Sequence, residues 1–126
     1  MNVPSELKYA RSDEWSRDDG ELVVVGITDY AQHELGEIVF VELPEAGSSV
    51  APGAPFGVVE SVKAVAELVA PVGGEVVEVN TALPDEPAII NESPYENGWM
   101  IKIKTTDKAP LSELLSADDY SAYRSS

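Results

Sequence analysis

One amine dominates the chemistry open to this chain. Between Arg17 and Lys102 the only lysine or arginine is Lys63, set among sixteen acidic residues. It lies in Phe56-Gly57-Val58-Val59-Glu60-Ser61-Val62-Lys63-Ala64-Val65-Ala66-Glu67-Leu68-Val69-Ala70-Pro71. A lysine so placed can be a solvated charge that relieves local repulsion, an attachment point presented to a modifying enzyme, or a Schiff-base nucleophile. The third role needs burial or neighbouring cations to free the amine of its proton, and Glu60 and Glu67 supply neither. The first two stay open on these residues alone. Other chemistries are poorly provided for. The chain has no cysteine, hence no thiolate nucleophile, disulfide or thiolate metal site. His33 is the single histidine and builds no metal constellation. Asp18-Asp19, Asp85-Glu86 and Asp118-Asp119 lack the spaced ligands and glycine of a calcium loop. They read as solvated turns and a helix start.

The elements that must position Lys63 are short. At 126 residues and 44% hydrophobic content, one domain with one core is expected. Leu22-Val23-Val24-Val25, between Gly20 and Gly26, is a strand signal, as is Glu37 through Leu43. In the latter, Ile38 and Phe40 would face one way and Val39, Val41 and Leu43 the other. Thr28 opens a short helix with Asp29 in its first turn and Gly36 as its stop. Arg11 through Trp15 and Asp18-Asp19-Gly20 read as loop and turn. From Val50 to Val79 short β-branched runs are separated by Pro and Gly, the pattern of a small sandwich or barrel. Residues 82–98 form a polar connection with a helical turn near Ala88 to Asn91. Trp99 through Lys104 is a strand with one wet face. Pro110 opens a turn carrying Leu111, Leu114 and Leu115, and Ser116 caps a last helix bearing Tyr120 and Tyr123. Trp15, Trp99, Tyr95 and Phe40 are expected in the core. The fold class is mainly β with short helices at its edges.

Around Lys63 two local structures compete. A helix would align Val58, Val62, Val65 and Val69 in one stripe. A hairpin would place its tip near Val62 and Lys63, with Glu60 and Glu67 flanking it. Five valines between Gly57 and Pro71 weigh against the helix, because branching at Cβ restricts χ1 there. The Asn-Gly or Asp-Gly of a tight hairpin is missing, which weighs the other way.

The charge balance narrows the partners. Eight basic against twenty-three acidic residues give a formal charge of −15. No basic face is available for nucleic acid, and an anionic membrane surface would repel the chain. No apolar run approaches the roughly 20 residues of a membrane helix. Met1 through Glu6 has neither a basic start nor an apolar stretch, so no export signal is expected and the expected setting is cytoplasmic.

Glu60-Ser61-Val62-Lys63-Ala64 resembles the lipoylation motif of the glycine cleavage H-protein family. The resemblance continues in order through Leu7-Lys8-Tyr9-Ala10 with Glu14-Trp15, Gly26 to Gln32, Gly36 to Pro44, Gly74 to Asn80, Asn91 to Tyr95 and Gly98 to Lys102. It covers the chain from about Leu7 to the final helix. It implies a single carrier domain over 1–126, with a lipoyl core at about 22–104 and a helical tail at about 110–124. The implied fold is a flattened β-sandwich like lipoyl and biotinyl domains, a barrel-sandwich hybrid with short peripheral helices and a C-terminal helix. Lys63 would then sit on a tight hairpin turn.

The resemblance implies a carrier rather than an enzyme. Lys63 would bear (R)-lipoate in amide linkage, which removes its charge and takes the chain to −16. The carrier would take the aminomethyl group of glycine from glycine decarboxylase to the tetrahydrofolate-dependent aminomethyltransferase, and be reoxidised by dihydrolipoyl dehydrogenase. Lipoyl-attaching enzymes would read Glu60, Ser61, Val62, Ala64 and Gly74, the last as the mark of a tight turn. A monomer is expected. Glu14 and Glu67 stand where the family offers acids near a cleft for the loaded arm; a solvated surface acid is the competing reading of each. His33 reads first as a solvated helix residue and second as a cleft group. Asp13 departs from the histidine many members place before Glu-Trp, which removes any imidazole contact there. The alternatives are a biotinyl carrier, whose lysine usually lies between methionines where this chain has Val62 and Ala64, and another lipoyl carrier, including one relaying lipoate to other proteins.

Overall fold

The computed structural model describes residues 1–125. Nine strands form two antiparallel sheets. The larger has strand order β1-β2-β3-β9-β8-β5, from β1 (Lys8–Tyr9), β2 (Glu14–Asp19), β3 (Leu22–Ile27), β9 (Ile101–Lys104), β8 (Gly74–Val79) and β5 (Ser49–Val50). The smaller has order β4-β6-β7, from β4 (Ile38–Glu42), β6 (Pro55–Ser61) and β7 (Val65–Val69). Buried side chains of both sheets, among them Val23, Val25, Ile101, Ile103, Val41, Val59 and Leu68, meet in one core. Of the sandwich and the barrel that the Pro- and Gly-punctuated runs allow, the two-sheet sandwich is the one observed. No helix among the described residues is long and apolar enough to cross a membrane.

Two helices frame the site. α1 (Asp29–Leu35) starts where expected: the Thr28 hydroxyl accepts the Ala31 amide at 3.1 Å, and Gly36, at φ 78, closes the helix through its amide on the Gln32 carbonyl. Here only a residue free of the left-handed penalty turns the chain into β4. After the single turn α2 (Ile89–Glu92) and a 3-10 helix (Ala109–Glu113), the C-terminal helix α3 (Ala117–Ser125) folds back onto β1. Ser116 accepts the Asp119 amide at its start. The Tyr9 and Tyr120 rings stack 4.8 Å apart in a second buried cluster with Leu7, Trp15, Val24 and Ala117.

Two sequence expectations are corrected. Glu14-Trp15 and Asp18-Asp19, expected in loop and turn, belong to one strand, β2, paired residue for residue with β3 from Glu14↔Ile27 to Asp19↔Leu22. Glu, Ser, Arg and Asp carry little β-propensity, and the strand forms because its neighbour is apolar and already extended. In β4 the simple alternation fails, since a bulge shifts the register between Ile38 and Phe40. The bulge buries Ile38 and Val41 and leaves Val39 48% and Phe40 45% exposed, so Phe40 is not core.

Candidate functional site

The valine-rich stretch is a hairpin, β6 and β7, and Val62-Lys63-Ala64 form its tip. Ser61 makes the turn that Asn-Gly would otherwise make. Its hydroxyl oxygen accepts the amides of Lys63 at 3.2 Å and Ala64 at 3.0 Å, while its own amide donates to the Ala64 carbonyl at 2.8 Å. The Val62 amide donates to the Glu37 carbonyl at 3.2 Å, which ties the tip to the chain entering β4. Lys63 is exposed and makes no ion pair among the described residues. A Cβ built on Gly36 would stand 3.6 Å from Lys63 Cε, so the lysine side chain lies back across the C-terminal end of α1.

That corner is held from below by Asn91, whose site role went unread in the sequence. Its Oδ1 accepts the Ile38 amide at 2.9 Å, and its Nδ2 donates to the Gly36 carbonyl at 2.8 Å and to Gln32 Oε1 at 3.0 Å. One amide side chain thus satisfies backbone groups on both sides of the α1–β4 turn.

Glu14 is not the solvated acid that its type suggests. It is 1% exposed, at the start of β2. Oε1 accepts the Ser12 hydroxyl at 2.5 Å, and Oε2 accepts the Val69 amide at 3.0 Å. β7 is an edge strand, and the Glu14 carboxyl satisfies an edge amide that β6 does not use. Burial pushes this carboxyl up to about 7, opposed by the hydrogen bonds from Ser12 and Val69 and assisted by the nearby charge of Asp13. Glu14 and Lys63 are linked by two elements. α1 runs from Thr28, whose amide bonds the Asp13 carbonyl, to Gly36 beside Lys63. β7 leads away from the tip to Val69, its own run from Val65 to Val69 being roughly 13 Å at about 3.3 Å per residue.

The remaining candidates are scattered more widely. Glu67, exposed, is paired with Val58 midway along β7. Glu60 pairs with both Phe40 and Val65 on the rung beside the tip, so these three side chains share the outer face of the small sheet. His33 is exposed in the last turn of α1, beside a cavity lined by Met1, Asp29 and Tyr30. Gly74 marks no tight turn: it opens β8 in the other sheet, at φ 151, and a Cβ there would fall on the Lys104 carbonyl oxygen. Close backbone approach between β8 and β9 is what demands glycine at this position. No group of three His, Asp or Glu among the described residues could hold a metal ion.

An acyl group on Lys63 fits these residues. The amine is exposed on a braced turn, glycine lies beneath its side chain, and two elements run from it to a buried acid. Comparison with known proteins shows the family to which the chain is similar. The family model "Glycine cleavage H-protein" matches residues 7–126. The glycine cleavage system H protein of Geobacillus kaustophilus is 57% identical over 122 residues, covering 97% of this chain and 96% of that protein. That of Staphylococcus carnosus is 56% identical over 120 residues, 95% of each. The crystal structure of a glycine cleavage system H protein from Mycobacterium marinum superposes with a TM-score of 0.90 at 39% identity, covering 98% of this chain and all of that one.

Proposed function

The chain belongs to the glycine cleavage H-protein family, and from that premise we propose that Lys63 is the residue through which it carries lipoate. Its role is that of a lipoyl carrier in the glycine cleavage system, a subunit without catalysis of its own. The single observation that carries the assignment to Lys63 is its place: the exposed lysine of a hairpin tip braced by Ser61 and by the Glu37 carbonyl. A modifying enzyme needs an amine it can reach on a backbone that does not yield, and this turn offers one.

When bound, the lipoyl group would supply a disulfide, one sulfur of which can bond the cargo carbon as the S–S bond breaks and the other leaves as a thiol. The chain's own residues bind and shelter. Gly36 leaves room for the lysine stem. The aminomethyl cargo ends in an amine that is protonated near neutrality, and a carboxylate within reach would stabilise it as a charge-assisted pair. Glu14 suits that task. Its oxygens keep acceptor capacity beyond Ser12 and Val69, and an arriving cation would draw its raised carboxyl into the ionised form. Glu67 supplies a second negative charge along β7. The partners in this reading are glycine decarboxylase, the aminomethyltransferase, dihydrolipoyl dehydrogenase and lipoyl-attaching enzymes. Each meets one cytoplasmic monomer, residues 1–126 acting as a unit.

Intact mass after incubation with a lipoyl-attaching enzyme tests the assignment. The unmodified chain should gain one lipoyl group and Lys63→Arg none, with glycine-dependent transfer lost in the reconstituted system. An Arg variant that still carries aminomethyl groups overturns it.

A further inference from the structure

Asp13 is the only non-glycine residue with positive φ among the described residues, at 78°. A side chain in that region costs roughly 1–2 kcal/mol unless its surroundings impose it. Here they do. The Asp13 amide donates to the Ala10 carbonyl at 2.9 Å, and its carbonyl accepts the Thr28 amide at 3.0 Å. Its carboxylate accepts the Tyr120 hydroxyl at 2.7 Å, Arg124 Nε at 2.9 Å and an Arg124 terminal nitrogen at 2.6 Å. Because the Tyr120 hydrogen is used on Asp13, the Thr28 hydroxyl, 2.8 Å away, donates to the Tyr120 oxygen. The same Arg124 nitrogen reaches the Arg11 carbonyl at 3.1 Å, and the guanidinium lies 4.4 Å from the Tyr30 ring centre and 4.7 Å from that of Tyr123. A planar fork held between rings has little freedom to let the carboxylate go.

The residues on either side of Asp13 point the other way. Ser12 and Glu14 bond to each other, and Glu14 reaches the edge of β7. The loop is therefore gripped from outside by the last turns of α3, while its inner side presents the one buried acid on the path from Lys63. We propose that Arg124 is a positioning residue: by clamping Asp13 in its left-handed conformation, the C-terminal helix holds the Ser12–Glu14 pair in place for the carried amine. This rests on the reading of Glu14 given above. It assigns α3 a part in protecting the cargo rather than only in covering Tyr9.

Two measurements test the clamp. In the unmodified protein, Arg124→Met should speed hydrogen exchange of the Val69 amide about tenfold, the loss of roughly one hydrogen bond. Core amides such as those of Val23 and Ile101 should keep their rates, which shows that the variant is folded. In the lipoylated, loaded protein the same substitution should shorten the lifetime of the aminomethyl cargo several-fold. Arg124→Lys should restore part of it. Asp13→Gly, which adopts the same φ without a clamp, should restore part of it when combined with Arg124→Met. Unchanged Val69 exchange in Arg124→Met overturns the proposal, as does faster exchange with an unchanged cargo lifetime. Glu14→Ala, measured alongside, separates the two failures. If it shortens the lifetime while Arg124→Met does not, only the clamp falls; if it has no effect, the reading of Glu14 falls with it.

Discussion

The Glu14 carboxylate and the Val69 amide, 55 residues apart in sequence, meet at 3.0 Å and join the large sheet to the free edge of the small one. A buried acid in that position sets a pH dependence of known sign. Burial raises the folded-state value from 4.5 to about 7, so the folded chain holds this proton more tightly than the unfolded chain. The stability it contributes is complete below pH 4.5 and is lost as pH rises through about 7. Glu14→Gln keeps an acceptor for Val69 and cannot ionise. Urea unfolding should therefore show the variant and the parent diverging across that window, with the variant ahead by up to roughly 3 kcal/mol above it, at about 1.4 kcal/mol per pH unit. A difference that stays constant with pH would show that Glu14 does not titrate there.

The same pair shows where sequence reading stops. A hairpin around Lys63 could be inferred because five valines between Gly57 and Pro71 act locally, through their own χ1 restriction. The cap at Thr28 and the stop at Gly36 are local too. Burial of Glu14 is not local: it depends on an edge amide in another sheet, and an Asp13-Glu14 dipeptide reads as surface in any single-sequence view. β2 was hidden for a related reason, because its polar residues become a strand by pairing with β3. Asp13 and Arg124 lie 111 residues apart, and nothing short of the tertiary fold brings them together. Beyond Lys63 itself, Ser61 is a local site signal whose turn-making part was legible in the sequence. A serine two residues before Lys63 is an alternative turn-maker where Asn-Gly is absent.

Ser61 makes the second prediction. Replacing it with alanine removes the acceptor for the Lys63 and Ala64 amides but leaves the Ser61 amide bond to the Ala64 carbonyl. The tip is exposed, so global stability should drop by only about 1 kcal/mol. The local effect should be larger. Hydrogen exchange at residues 63 and 64 should accelerate, and the lipoyl-attaching enzyme should modify Lys63 more slowly. Ser61→Asn, which can accept the same two amides, should recover most of the rate. Equal modification rates for Ser61→Ala and the parent would mean that the turn need not be rigid to be recognised.

The outer face of the small sheet carries the third. Phe40, Glu60 and Val65 share the rung beside the tip, and Glu42, Val58 and Glu67 share the rung two further along on the same face, so the exposed side chains of Phe40 and Val65 stand among carboxylates on the face that leads to Lys63. An enzyme that works on an arm at Lys63 would pass close to this face. A chain at −15 should meet them through complementary basic surfaces, with association that is fast and salt-sensitive. At physiological ionic strength the Debye length is about 8 Å, short enough for added salt to weaken the steering but not the final contact. Transfer to the aminomethyltransferase at limiting concentrations should slow as salt is raised, and Glu42→Gln with Glu60→Gln and Glu67→Gln should flatten that dependence. Phe40→Ala should weaken transfer equally at every ionic strength, because apolar contact does not depend on screening. Rates indifferent to salt in the parent chain would remove electrostatic steering and leave the apolar side chains, with the arm itself, as the whole of the recognition.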